Sequence, residues 1–224
     1  MNRGDYKVVH KRPPYDWFVE PYRATEQLLD TIDFGDDLIW DCCCGRGNIL
    51  DVAERWGHPT FGSDIVDRKP RHKFQRGNIL TQIAKMPTRP GRSTSIISNI
   101  PFSYEADIGE KIISHCLVAY PVRIAAFMVP ISFLAGQNRW GRMLFEPRVP
   151  KRPSHTLIYT ERHSMPPGHL LESGQMEEGG GTMDYAVLVF QHPHRWRTET
   201  VWVRPGARVP KRAMPTIKGE ANAA

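Results

Sequence analysis

Cysteine is scarce in this 224-residue chain: three of the four are consecutive (Cys42, Cys43, Cys44) and the fourth is Cys116. That spacing suits neither a disulfide framework nor a tetrahedral metal site, so a reducing, cytoplasmic setting is expected. Read as strand, three adjacent thiols point to alternate faces and cannot all ligate one ion, so no metal is expected. Long apolar runs are also missing. The longest, Ile124 to Phe133, is far short of the ~20 residues that span a bilayer, which argues against a membrane protein. No apolar stretch follows the charged start Met1, Asn2, Arg3, Gly4, Asp5, Tyr6, so it does not read as a secretory leader. His155, His163, His169, His192 and His194 fall in loop or edge contexts without metal or triad spacing and read as solvated or satisfied side chains.

What is present is an ordinary globular composition, with 40% hydrophobic and 24% charged residues. The length suits one domain with short extensions. The charge is uneven. Residues 1–15 carry Arg3, Lys7, Lys11 and Arg12 against Asp5, a balance of +3, and residues 191–224 carry seven basic residues against Glu199 and Glu220, a balance of +5. Since the whole chain is +6, residues 16–190 are −2. Basic arms on a nearly neutral body suit a partner with a phosphate backbone; solvated tails that keep the chain soluble are the plainer reading.

Along the chain, Tyr15 to Glu20 and Pro21 read as a loop entering a short helix over Ala24 to Asp30. Leu38, Ile39 and Trp40 form a buried strand ending at Asp41, Gly45 and Gly47 a turn, and Ile49 to Trp56 a helix. Further strands are predicted over Thr60 to Asp64, Lys73 to Arg76, Ser95 to Ser98 and Ile124 to Val129, with helices over Glu105 to Ala119 and around Ser132 to Phe145. Strands alternating with helices predict a parallel α/β sheet. His155 to Arg162 and Met183 to Gln191 read as an antiparallel pair closing one sheet edge, joined through a Gly-rich loop at Gly179 to Gly181 that closes over substrate or merely links two strands.

Two constellations carry chemistry. Asp41-Cys-Cys-Cys-Gly45-Arg-Gly47 follows a strand and opens a helix, where glycines let backbone approach a nucleotide-like cofactor closely. Leu50 stands where the third glycine of the dinucleotide fingerprint belongs, which argues against NAD. Asp64, at the end of the second strand, suits a ribose diol, because a carboxylate can accept both hydroxyl hydrogens. The second constellation is Asn99-Ile100-Pro101-Phe102, directly after a strand. An amide oxygen and a backbone carbonyl can accept both hydrogens of an exocyclic amino group, Pro101 stiffens the turn, and Phe102 offers a ring to stack on a base.

Together these residues resemble class I S-adenosylmethionine-dependent methyltransferases, in particular DNA adenine-N6 methyltransferases of the small phage and prophage type. Asp41 to Ile49 is similar to that family's Asp-Pro-Cys-Cys-Gly-x-Gly-Asn-Ile, with Cys42 in place of Pro. Gly77-Asn78-Ile79-Leu80 is similar to its Gly-Asp-Ile-Leu, with Asn78 in place of Asp. Pro21 with Ala24, Leu28 and Leu29 resembles the N-terminal cofactor segment, and Ser132 to Gln137 and Asp184-Tyr185-Ala186 resemble further segments of the small enzymes. The resemblance implies a Rossmann-like α/β fold with a seven-stranded, mainly parallel sheet. Within it, residues 16–191 form the catalytic domain, 1–15 a basic arm and 192–224 a basic tail. It further implies S-adenosyl-L-methionine as cofactor, held by Pro21, Asp41, Cys42, Cys43, Gly45, Gly47, Asn48, Asp64, Ile65, Asn78, Ile79 and Asn99. The catalytic turn is Asn99, Ile100, Pro101 and Phe102, and the partner is DNA, with RNA as the alternative. A ribosomal RNA adenine methyltransferase and a non-catalytic nucleic-acid or cofactor-binding module of the same fold are the rival readings, and the oligomeric state is left open.

Overall fold

The computed structural model describes residues 13–81, 86–102, 104–136, 152–176, 183–193 and 197–206. The elements are α1 (Tyr22–Thr31), β1 (Leu38–Asp41), α2 (Asn48–Arg55), β2 (Thr60–Asp64), β3 (Phe74–Arg76), β4 (Thr94–Asn99), α3 (Ile108–Ala119), β5 (Ile124–Pro130), β6 (His155–Tyr159), α4 (Gly168–Glu172), β7 (Tyr185–Gln191) and β8 (Glu199–Val203). They build one eight-stranded sheet in the order β3-β2-β1-β4-β5-β7-β6-β8. Strands β3 to β5 are mutually parallel, β7 runs antiparallel to both β5 and β6, and β8 is parallel to β6.

Strand periodicity explains the layering. In the central strands Ile39, Ile97, Ala126, Met128, Val187 and Val189 point to one face, where Ala24 and Leu28 of α1 and Ile49 and Val52 of α2 cover them. Their neighbours Trp40, Ile96, Ala125, Phe127, Leu188 and Phe190 point to the other, where Ile112, Ile113 and Cys116 of α3 pack. A sheet covered on both faces needs apolar residues at successive positions, and every residue of β1 and β5 is buried. Full burial of a side chain such as Phe127 is worth about 1.5–3 kcal/mol. Several buried polar groups are paired: Trp40 Nε1 donates to Ser63 Oγ at 2.9 Å, and Asp37 accepts from Arg123 Nε at 2.7 Å and from Ser95 Oγ.

Several expectations are corrected. The sheet has eight strands rather than seven, the additional one being β8 within the segment read as tail; β6 and β7 form the expected antiparallel pair, with β8 added outside β6. Alternation in Glu199–Val203 is weak because this edge strand is half exposed, and Trp202 stays 67% exposed. The helix expected from Glu105 begins at Ile108, because Asp107 is left-handed (φ 59°) and interrupts the chain there. Around Ser132 there is a 3-10 turn, Ile131–Leu134, and not a longer helix in the described residues. The cysteines lie in the turn after β1, not on the strand. Most of the N-terminal arm (1–12), residues 137–151 including Gln137, the Gly-rich loop (177–182) and the basic end (207–224) lie outside the described residues. Among the described residues no helix is long and apolar enough to cross a membrane, and no cluster of three or more His, Cys, Asp or Glu is arranged for a metal ion.

Candidate active site

Strand order reverses at β1, which has β2 on one side and β4 on the other. Crossovers leave in opposite directions there, so a crevice opens beyond the carboxyl ends of the two strands, the usual ligand position in such sheets. A cavity occupies it, lined by the turn after β1 (Cys42 to Arg46), the end of β2 (Asp64, Ile65), Gly77 to Leu80, and Asn99 with Pro101 after β4. Tyr104, Ile108 and Ile112 add to that lining, and the rest of the wall is the segment Tyr15 to Glu20. It is tied down by backbone bonds, with Val19 N donating to Pro166 O and Gly168 N to Trp17 O, both at 2.9 Å.

The β1–β2 side is shaped by glycine and by one carboxylate. Gly45 has φ +52°, and a Cβ there would lie 2.9 Å from Trp17 Nε1. Gly47, at φ +97°, caps α2. Asp64 binds the turn: Oδ2 accepts from Gly45 N at 2.8 Å, while Oδ1 accepts from Val66 N at 2.9 Å and Arg68 Nη1 at 3.1 Å. The Arg68 guanidinium also lies 4.2 Å over the Trp17 ring. A carboxylate offers about four lone-pair sites, so three are engaged and room remains for one more donor. Accepting two hydroxyl hydrogens therefore requires Arg68 to move. Asn78 Oδ1 accepts from Leu80 N at 2.9 Å, holding the loop after β3 in place.

The β4 side is polar within a largely apolar wall. Asn99 ends β4, and its Nδ2 donates to Phe18 O at 3.3 Å and to Glu20 Oε2 at 3.1 Å. Glu20 is 7% exposed. Burial pushes its carboxyl from the ordinary 4.5 up to about 7, against the opposing effect of the hydrogen bond from Asn99 and the charge of Arg46. Asp41, 1% exposed, accepts from Ser98 Oγ at 2.7 Å and Cys43 N at 3.1 Å. Its carboxyl is likewise held well above the carboxylate range, first by burial and then by the Glu20 charge. Two buried carboxyl groups that discourage each other's ionisation favour a cationic ligand between the strand ends.

Of the residues expected at the site, Cys42, Cys43, Gly45, Asp64, Ile65, Asn78, Ile79, Asn99 and Pro101 line the cavity. Asp41, Gly47, Asn48 and Pro21 stand behind the wall: Asn48 Nδ2 donates to Glu20 O at 2.9 Å, and Pro21 precedes α1. Ile100 is buried in the core, and Phe102 is half buried against that same core rather than on the cavity wall. Residues absent from the sequence expectations also line the cavity, among them Tyr15, Trp17, Glu20, Arg68 and Tyr104. Tyr15 and Tyr104 meet edge to face with centroids 5.8 Å apart and are 52% and 38% exposed. Tyr15 holds a left-handed backbone (φ 58°), a strained conformation that a tight surrounding structure must maintain. The aromatic cluster before Pro21 and the tyrosine two residues beyond Phe102 were the available sequence signals.

No protein-family model and no curated protein matches the chain. Solved structures do. A Pyrococcus horikoshii protein described as an RNA methyltransferase superposes with TM-score 0.52 at 12% identity, over 75% of this chain and 79% of that one. A Vibrio vulnificus protein described as a modification subunit of a type I restriction enzyme gives 0.48 at 13% identity, over 82% and 45%. A Plasmodium falciparum dimethyladenosine transferase gives 0.42 at 14%, over 74% and 59%. The last two superpose too loosely to carry an argument. The first shows the fold alone: this chain has the Rossmann-like α/β fold, of the kind that class I methyltransferases share.

Proposed function

We propose that the protein transfers a methyl group from S-adenosyl-L-methionine to the N6 amino group of adenine in DNA. The observation that carries the reading is convergence: the Gly45 turn, Asp64, Asn78 and the Asn99-Pro101 turn, far apart in sequence, line one cavity. The donor set fits this cofactor. The buried Glu20 and Asp41 carboxyl groups suit its cationic methionine end, Asp64 has one acceptor position for a ribose hydroxyl, and apolar Ile65 and Ile79 suit an adenine ring. Bound there, it supplies a methyl group already activated by a sulfonium.

The chain's own residues then position the acceptor. Asn99 Oδ1 accepts one hydrogen of the target amino group and the Ile100 carbonyl the other, which orients the nitrogen lone pair for in-line attack. The exposed Tyr104 ring at the cavity mouth offers a stacking surface for a base taken out of its helix. Apolar Val19, Ile108 and Ile112 on the wall limit water at the reacting atoms. The basic arms supply sequence-independent backbone attraction.

The test is incubation with methyl-labelled cofactor and, in separate tubes, double-stranded DNA, single-stranded DNA and ribosomal RNA, followed by digestion to nucleosides. N6-methyl-2′-deoxyadenosine is expected. Label confined to RNA adenines replaces the substrate class, and cofactor binding without product in any tube favours a binding module.

A further inference from the structure

The Asn99 amide is held from behind. Both hydrogens on its nitrogen have partners in the N-terminal segment, the Phe18 carbonyl at 3.3 Å and the Glu20 carboxyl at 3.1 Å. A backbone carbonyl only accepts, so the atom facing Phe18 must be nitrogen, and the oxygen is turned away from both partners. Glu20 is itself fixed, because Asn48 at the start of α2 donates to its backbone carbonyl at 2.9 Å. The chain thus runs from α2 through Glu20 to the last residue of β4. We infer that Glu20 is a positioning residue for the amino-methylation site: its carboxylate locks the Asn99 side chain in the one orientation that presents Oδ1, rather than the amide nitrogen, to the incoming amino group. This rests on reading Asn99 as the group that accepts a hydrogen of the target amine.

The consequence is a site whose orientation depends on protonation. The ionised carboxylate can only accept, and so demands an amide hydrogen. Once protonated, Glu20 can donate, and an amide turned over to offer it oxygen becomes competitive. The charged or titratable groups acting on Glu20 are Asp41 at the end of β1 and Cys44 and Arg46 in the following turn, with the neutral Asn99 opposite. Of these the hydrogen bond from Asn99 and the charge of Arg46 favour ionisation. Below the midpoint near 7, the preference for the productive amide orientation is weakened, because only the Phe18 carbonyl at 3.3 Å still demands an amide hydrogen. A cation bound beside Glu20 restores that preference by drawing the carboxyl back to its ionised form.

The experiment follows the Asn99 side-chain amide of the full-length protein by nitrogen-15 NMR across pH, assigned with an Asn99→Asp control, in parent and Glu20→Gln proteins. The parent resonance is expected to titrate with a midpoint of about 7 and the Glu20→Gln resonance to stay flat. Alongside it, methyl transfer at saturating cofactor is measured for Glu20→Ala, Asn99→Ala and the double variant. Glu20→Ala is expected to lose about a hundred-fold in turnover, the size of effect that a small misplacement of a reacting group produces. Glu20→Gln, which like the protonated carboxyl can both donate and accept, is expected to hold at every pH the lower turnover that the parent shows on the acid limb of its profile. In the Asn99→Ala background, removing Glu20 adds little further loss, because two residues acting through one contact are not additive. A pH-independent Asn99 resonance in the parent, or losses that multiply in the double variant, overturns the inference. If the parent transfers no methyl group to any nucleic acid, the functional reading fails while the amide titration still decides whether Glu20 controls Asn99. Should Glu20→Ala fail to fold, Glu20→Gln and the titration decide it.

Discussion

The two halves of the cavity are held by different kinds of contact. On the β1–β2 side the contacts are local: Gly45 and Asp64 are 19 residues apart within one strand-helix-strand unit, and Val66 and Arg68 reach back two and four residues to Asp64. On the β4 side they cross the chain, since Asn99 is tied to Phe18 and Glu20, which lie 81 and 79 residues earlier. The first half can take shape as its own βαβ unit closes. The second is complete only when residues 15–20 dock across the finished sheet. Cofactor affinity and turnover should accordingly respond to different substitutions.

The widest separation is expected at Asn99. Asn99→Ala should lower turnover by about a hundred-fold or more, because the amine is no longer oriented, while calorimetry shows cofactor affinity close to the parent value. Equal losses in both would merge the two halves into one functional unit.

The buried carboxyl on the β4 side gives the next effect. In the ligand-free protein Glu20 titrates at about 7 instead of 4.5. Between those values the folded state holds more proton than the unfolded chain, so this contribution is fully present below 4.5 and is lost as pH rises through 7. A shift of that size corresponds to roughly 3 kcal/mol. Denaturation of parent and Glu20→Gln proteins at about pH 5 and about pH 8 should show the parent losing ground at the higher value. Saturating cofactor should shrink the difference. A parent whose relative stability does not change across the window removes Glu20 as a buried, titrating group.

On the local side, Asp64→Ala removes the acceptor for Gly45 N, Val66 N and Arg68. Loss of a hydrogen bond to a charged group is worth roughly 1.5–3 kcal/mol, about ten-fold or more in cofactor affinity, while turnover at saturating cofactor changes little. Unchanged affinity in a folded variant takes Asp64 out of the site and leaves it as the clamp of the turn. The smallest effect belongs to the mouth. Tyr104→Ala removes a stacking surface worth about 1–3 kcal/mol and should raise KM for the nucleic acid, with Tyr104→Phe close to the parent and cofactor affinity unmoved. If Phe102→Ala alone raises KM, the half-buried ring turns out to meet the base and Tyr104 is only a lip.

This division also explains what could be read from the sequence. The parallel strands, the Gly45 turn and Asp64 carry their signals locally, in apolar runs and short-range spacing. The Asn99 turn was legible for the same reason, as a tetrapeptide after a strand. Glu20 was not, because its meaning lies in a contact across 79 residues that no periodicity reports. Asp64 was legible as a residue but not in its commitments: nothing in the spacing says that Arg68 already engages it. The eighth strand was missed because an exposed edge lacks the apolar alternation that marks strands buried on a face.

The central claim is that one cavity receives the cofactor on its β1–β2 side and an adenine amino group on its β4 side. Backbone NMR of the full-length protein tests it by adding S-adenosyl-L-methionine first and then an adenine-containing oligodeoxynucleotide. The first addition should shift the amides of Cys42 to Arg46, Asp64, Ile65 and Gly77 to Leu80, and the second those of Asn99, Ile100, Phe102 and Tyr104. Cofactor shifts that miss the β1–β2 turns, or oligonucleotide shifts confined to surfaces away from Asn99, contradict the account.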